Sequence, residues 1–317
     1  MSTAFDAGSG KITVPDILRR KTNIPSSSNQ KSDPGRERGE SGRRKIVCLT
    51  AYDYPTARLV DEAGVDIVLV GDSLGMVVLG YENTLPLTIE EMLHHTRAVR
   101  RGVRKALLVA DMPYGSFHGD RNEAVRNAVR FVKEAGAEAV KIEGGERRME
   151  LIAQLVEAEI PVMGHIGLTP QSMHSFGGFR VQGKTVEAAD QLLRDARAVE
   201  AAGAFSVVLE SIPRELATRV TSELRIPTIG IGAGPECDGQ VLVLHDMIGL
   251  SLGHTPKFSR RYANVGEAIS HAVTAYAEDV REGRFPNATS ESFHMASTEE
   301  LKKLYGDSVV VPMPKAN

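Results

Sequence analysis

A (β/α)8 TIM barrel of parallel strands is the fold that the sequence predicts, and three features predict it. Eight short apolar runs are spaced along the chain. A run that is apolar at every position marks a parallel strand buried on both faces. Helical stretches separate most of these runs, so the connections are crossovers rather than hairpins. A Glu-Ala-Gly phrase recurs where helix gives way to strand, at Glu62-Ala63-Gly64 and Glu134-Ala135-Gly136, with a variant at Ala201-Ala202-Gly203. Each glycine suits the left-handed position that ends a helix. A doubly wound open sheet uses the same ingredients, but about eight units imply closure.

Taken in order, residues 1–22 form an N-terminal segment with a short helix starting near Pro15, whose fixed φ suits a first turn. Residues 23–44 are rich in Ser, Asn, Gly, Arg and Glu and almost free of apolar side chains. They cannot bury surface to offset ordering entropy, so they are expected to be a flexible polar insert. Glu37 and Glu40 mix with the basic residues there, which favours a solvated linker over a nucleic-acid arm. The barrel domain is expected over 45–285. Its strands are predicted at 46–49, 67–70, 107–110, 139–142, 161–164, 206–209, 228–231 and 240–243. Helices are predicted at 54–62, 89–101, 121–134, 147–158, 186–201 and 213–224, with a closing helix at 265–282. Residues 286–317 read as a C-terminal tail with few core-like runs.

A length of 317 residues is ordinary for such a barrel with extra segments, and 42% hydrophobic content supplies a sizeable core. A net charge of -3 gives no case for nucleic acid or an anionic membrane as partner. Cys48 and Cys237 fit neither a zinc spacing nor a disulfide framework, which points to a reducing, cytoplasmic location. No apolar stretch is long enough to span a bilayer, and the first residues lack the apolar core of a signal peptide. Paired carboxylates on a barrel also occur in glycoside hydrolysis. Trp is absent and aromatics total 5%, so the platforms common in sugar sites are scarce.

Acidic residues stand at the ends of several predicted strands, where the active site of a parallel barrel lies. Asp72 and Asp111 follow adjacent strands, so both reach one ion at the barrel mouth. Without a nearby His or Cys cluster, such a pair favours Mg²⁺ over Zn²⁺. The bland alternative is that each Asp caps a turn or helix. Lys141 and Glu143 alternate on one strand and face the same side. They read either as an internal salt bridge or as a cation for an anionic substrate beside an acid that holds a metal's water. Glu210 ends the sixth strand, where it is a general base or a partner of the turn backbone. His165 ends the fifth strand and is placed at the site without a role. His94 and His95 are neighbours in mid-helix and read as structural. Gly230 to Pro235 does not fit the dinucleotide fingerprint and reads as a tight barrel loop. The loop from Gly167 to Phe179 is a candidate lid over a large second substrate. A mouth residue is expected to add little to the core, so Asp111→Asn is expected to leave the fold intact.

These phrases together resemble the ketopantoate hydroxymethyltransferase family. The carrying segments are Leu49-Thr50-Ala51-Tyr52-Asp53, Gly71-Asp72-Ser73-Leu74-Gly75, Ala110-Asp111-Met112-Pro113 and Lys141-Ile142-Glu143-Gly144-Gly145. Gly164-His165-Ile166-Gly167-Leu168-Thr169-Pro170-Gln171-Ser172 and His254-Thr255-Pro256-Lys257-Phe258 follow in the same order. The match runs from about Lys45 to His294, and two places depart from it: the insert interrupts the usual short link between the first helix and the first strand, and the chain continues past Ser292-Phe293-His294, where some family members stop; neither touches the proposed site. The resemblance implies that Asp72 and Asp111 bind Mg²⁺, with Glu143 in the outer sphere. It also implies that Asp72, Ser73, Asp111 and Lys141 contact the substrate and that Glu210 accepts its proton. The implied reaction moves a hydroxymethyl group from 5,10-methylenetetrahydrofolate to 3-methyl-2-oxobutanoate, giving 2-dehydropantoate and tetrahydrofolate on the way to pantothenate. The implied partners are small molecules and further copies of the chain, since the family forms decamers. A Mg²⁺-dependent 2-oxo acid lyase or mutase of the isocitrate lyase/phosphoenolpyruvate mutase type is the alternative.

Overall fold

The computed structural model describes residues 10–21, 44–253, 255–295 and 297–306. The 23–43 part of the expected insert, His254 and the chain beyond 306 lie outside the described residues. Two compact units are present, Met1–Tyr262 and Ala263–Asn317.

The first unit is the predicted closed barrel. Its strands are β1 (Ile46–Thr50), β2 (Ile67–Val70), β3 (Leu107–Asp111), β4 (Ala139–Glu143), β5 (Val162–Gly167), β6 (Ser206–Glu210), β7 (Thr228–Ile231) and β8 (Gly239–Leu242). They pair in sequence order, all parallel, and β8 closes on β1. The crossover helices keep their expected places to within a few residues. Gly136 ends Arg121–Ala135 with φ +72°, the left-handed stop the sequence implied. The predicted helix 147–158 splits into a 3-10 turn, Glu146–Arg148, and Met149–Glu157.

The two-residue alternation of the strands separates two cores. Ile46, Cys48, Ile67, Leu69, Leu107, Val109, Ala139, Met163, Val208, Ile229 and Val241 fill one buried cluster. Val68, Val70, Leu108, Ala110, Val140, Ile142, Val207 and Leu209 belong to the other, which includes the residues of the surrounding helices. Ile17, from the N-terminal helix Val14–Leu18, joins the first cluster and is fully buried. That helix is held by ion pairs from Arg20 to Asp66 (2.6 Å) and from buried Lys21 to buried Asp238 (2.8 Å).

The second unit contains helices Val265–Arg281 and Thr298–Tyr305. It begins at Ala263, whereas the sequence boundary was placed after 285 and the first of these helices was read as closing the barrel. No residue of that helix is buried. Among the described residues no helix is long and apolar enough to cross a membrane.

Candidate active site

The alternation that fills the barrel turns polar at one end. Continuing the inner positions of β3, from Leu107 through Val109, arrives at Asp111. The inner face of β4 runs from Ala139 to Lys141 and Glu143, that of β5 from Met163 to His165, and that of β6 from Val208 to Glu210. Strand register then sets these side chains beside one another. Asp111 aligns with Lys141, Glu143 with His165, and Gly167 with Glu210. Asp72 and Ser73 lie in the turn after β2, and Ser73 precedes the short helix Leu74–Val77. Every candidate from the sequence is therefore at one mouth.

Most of the group is out of water. Asp72, Asp111, Lys141, Glu143 and His165 are buried, while the Glu210 side chain keeps 16% exposure. Lys141 Nζ donates to Asp111 Oδ1 at 2.5 Å, and the Asp72 backbone N–H donates to Asp111 Oδ2 at 3.0 Å. His165 stands between two carboxylates, with Nδ1 3.3 Å from Glu143 Oε1 and Nε2 3.2 Å from Glu210 Oε2. Neither approach has hydrogen-bond geometry, for both ring nitrogens and Glu143 Oε1 lack a hydrogen-bond partner. The Ser73 hydroxyl lies 2.8 Å from the hydroxyl of buried Tyr52.

The charges tune one another. Burial, then the charges of Asp111 and Glu143, push Asp72 up to about 8 against the opposing pull of Lys141 and Gln171. Burial alone would strip the proton from Lys141, yet Asp111, Asp72 and Glu143 together raise its pKa above the ordinary lysine value. Burial and Lys141 likewise oppose charge on His165, but Glu143 and Glu210 outweigh them and raise it to about 9. The site at neutral pH is thus a cluster of acids crossed by two cations, with too much acid for its degree of burial. Lys141 does form an internal salt bridge, and Asp111 is its partner.

Gln171 is the residue that sequence reasoning passed over. It sits in the 3-10 turn Pro170–Ser172 after β5 and is buried. Its side-chain amide donates to Asp72 Oδ2 (2.9 Å) and to the Met112 carbonyl (3.0 Å), and its backbone N–H donates to Glu143 Oε2 (3.0 Å). Among the described residues no group of three or more His, Cys, Asp and Glu side chains is arranged to hold a metal. The donor set nevertheless fits a hydrated Mg²⁺, which prefers oxygen, takes one or two carboxylates and keeps several waters. Asp72 and Asp111 supply the carboxylates. Buried Gln171 Oε1, without a donor, is an acceptor suited to solvent around such an ion.

The backbone makes room for Glu210. Gly167 has φ +94°, and a Cβ there would stand 2.3 Å from the Glu210 carbonyl oxygen and 2.8 Å from Ile212 Cγ2. Gly167→Ala therefore meets a disfavoured backbone region, costing about 1–2 kcal/mol, and a collision with main chain. Thermal unfolding is expected to show a lower midpoint, and turnover is expected to fall because Glu210 is displaced. Wild-type values for both would remove the close approach from the account.

His94 is exposed, whereas His95 donates from Nδ1 to the Tyr52 carbonyl at 2.6 Å. Both stay outside the acidic cluster, as the structural reading of the pair had it. The loop after β7 packs against its own chain, since a Cβ on Gly232 would lie 2.6 Å from the Phe258 ring.

Comparison with known proteins bears on this site. The family model for ketopantoate hydroxymethyltransferase matches residues 36–288. A 3-methyl-2-oxobutanoate hydroxymethyltransferase of Koribacter versatilis (strain Ellin345) is 62% identical over 295 residues, covering 93% of this chain and 93% of that one. The protein of the same name from Syntrophomonas wolfei is 54% identical, covering 83% of this chain and 95% of its own. Among solved structures, a phosphonopyruvate hydrolase in complex with oxalate and Mg²⁺ aligns with TM-score 0.52 at 18% identity, over 83% of this chain and 91% of that chain. A 2,3-dimethylmalate lyase aligns with TM-score 0.51 at 18% identity, over 83% and 87%. At that identity the two structures speak for the fold alone.

Proposed function

The chain belongs to the ketopantoate hydroxymethyltransferase family and transfers a hydroxymethyl group to 3-methyl-2-oxobutanoate in pantothenate biosynthesis, and from that premise we propose which of its residues do so. Asp72 and Asp111 hold Mg²⁺, Glu143 stands in its outer sphere, Ser73 and Lys141 bind the keto acid, and Glu210 is the base. The observation that supports this reading is the shared inward face of Asp111, Lys141, Glu143 and Glu210, with Asp72 bonded into the same cluster. The relatives' identity favours hydroxymethyl transfer over the lyase or mutase alternative.

Mg²⁺ would act as a Lewis acid on the keto acid, worth several kcal/mol where enolate charge develops. The chain's own groups do the rest. Ser73, held by Tyr52, offers its hydroxyl to the substrate's carboxylate end. Lys141 keeps its proton and places positive charge where oxygen becomes negative, in a site mostly closed to water. Glu210, the least buried of these acids, takes the proton from C3. The carbon so freed bonds to the one-carbon unit of 5,10-methylenetetrahydrofolate. Both bonds from the one-carbon unit to the carrier's two nitrogens break, one as the carbon–carbon bond forms and the other as water supplies the hydroxyl, and the nitrogens take up the protons given up by C3 and by water, giving 2-dehydropantoate and tetrahydrofolate. The loop after β5 serves to cover the folate. Formation of 2-dehydropantoate from the two substrates, measured with and without the folate donor, tests this assignment. Product formed equally without the donor would refute it.

The raised Asp72 pKa has a measurable consequence. Below about pH 8 this carboxyl carries a proton in the metal-free enzyme, and a cation must displace it. Apparent Mg²⁺ affinity is expected to rise by up to about tenfold per pH unit towards pH 8 and then level off. Proton linkage also acts on folding. A carboxyl with a raised native pKa favours the metal-free fold at low pH, and that contribution is lost as pH rises from the ordinary carboxyl range through 8. Calorimetric titration of Mg²⁺ across pH 6–9 reads the first effect, and a flat profile would contradict it. The reading also includes a cytoplasmic, homo-oligomeric enzyme, for which light scattering gives the assembly size.

A further inference from the structure

We propose that Gln171 is a positioning residue for the metal site, setting Asp72 and Glu143 for the cation and offering its own Oε1 to the cation's water. This deepens the metal reading above and rests on it. One side chain and its own backbone N–H reach groups on three strand ends: Asp72 after β2, Met112 after β3 and Glu143 on β4. The orientation of the amide is fixed by its partners. Nε2 faces the Met112 carbonyl, an acceptor only, so the reversed amide would set oxygen against oxygen there.

With that orientation, Gln171 Oε1 is a buried acceptor without a donor, and Glu143 Oε1 has only the His165 ring nitrogen 3.3 Å away, outside hydrogen-bond geometry. Leaving such groups unsatisfied is costly, so something with donors belongs beside them. The keto acid cannot fill that role, since its carboxylate and ketone oxygens only accept. Lys141 Nζ is directed to Asp111. Water has two donor hydrogens, and water is what Mg²⁺ retains when two carboxylates bind it. Supporting partners of this kind typically change metal affinity by about 10–100-fold when removed. Because Gln171 lies in the turn that begins the loop after β5, the same bonds tie that loop's root to the metal site.

The test is calorimetric titration of the full-length enzyme with Mg²⁺ alone, beside turnover at limiting and saturating Mg²⁺. Gln171→Met keeps the length of the side chain and removes both donors and the acceptor. Its Mg²⁺ dissociation constant is expected to rise about 10–100-fold, while saturating Mg²⁺ recovers most of kcat. A defect of packing alone would not be recovered by metal. Gln171→Asn keeps the amide but is one methylene shorter, and it is expected to fall between Met and wild type. Circular dichroism identifies a Met variant that fails to fold, and the Asn variant then decides. Unchanged Mg²⁺ affinity in the folded variant overturns the role of Gln171 and leaves the metal reading standing. Wild-type enzyme that binds no Mg²⁺ overturns both.

Discussion

Replacing Glu210 by Gln is expected to lower kcat by about 10²–10⁴-fold, the usual contribution of a placed base. Gln keeps the size and polarity of the side chain and removes its capacity to take a proton. Glu210 ends β6, aligned with Gly167, and retains enough exposure to meet a bound substrate. It approaches His165, whereas Asp72 and Asp111 are bonded to each other and to Lys141 and Gln171. The variant is therefore expected to bind Mg²⁺ like the wild type and to lose kcat and kcat/KM together, the pattern of a group that acts in the transition state. Steady-state kinetics with 3-methyl-2-oxobutanoate and methylenetetrahydrofolate measure this. A variant that retains wild-type kcat would remove Glu210 as the base.

Asp111→Ala is expected to fail twice. It removes one of two carboxylates for the cation, so Mg²⁺ binding should be lost over the range where wild type saturates. It also takes away the acceptor of Lys141 Nζ, a buried ammonium 2.5 Å from Asp111 Oδ1. Removing one partner of a buried ion pair typically costs about 3–5 kcal/mol. Asp72 and Glu143 also act on Lys141, so a loss of about 3 kcal/mol, at the lower end, is expected. Chemical denaturation of the metal-free proteins reads it. The expectation that Asp111→Asn leaves the fold intact is read in the same experiment. A variant as stable as wild type would show that Lys141 needs only its other neighbours.

Much of this was legible in the chain because a strand has a strict period. Once Leu107 and Val109 are known to face inward, Asp111 must follow, and the same counting places Lys141, Glu143 and Glu210. Helix ends were legible where glycine takes a conformation that other residues avoid, as at Gly136. Gln171 was not legible. It lies in a loop, where no period operates, and its bonds reach across 28, 59 and 99 residues of sequence. Its advance signals were membership of the Gly164–Ser172 phrase that carried the family resemblance and of the Gly167–Phe179 loop read as a candidate lid. The partner of Lys141 was left open between Glu143 and another acid for a related reason. Glu143 is near in sequence and on the same strand face, but register puts Asp111 of the adjacent strand alongside. Helix Val265–Arg281 was legible as a helix but not as part of a second unit, since amphipathic spacing does not name what it packs against.

Exchange of the C3 hydrogen of 3-methyl-2-oxobutanoate with deuterated water, followed without any folate present, isolates proton removal from group transfer. If a divalent cation at Asp72 and Asp111 makes that hydrogen acidic enough for Glu210, exchange will be rapid with Mg²⁺ and will stop in EDTA. Exchange that continues unchanged in EDTA would contradict the assignment of these residues.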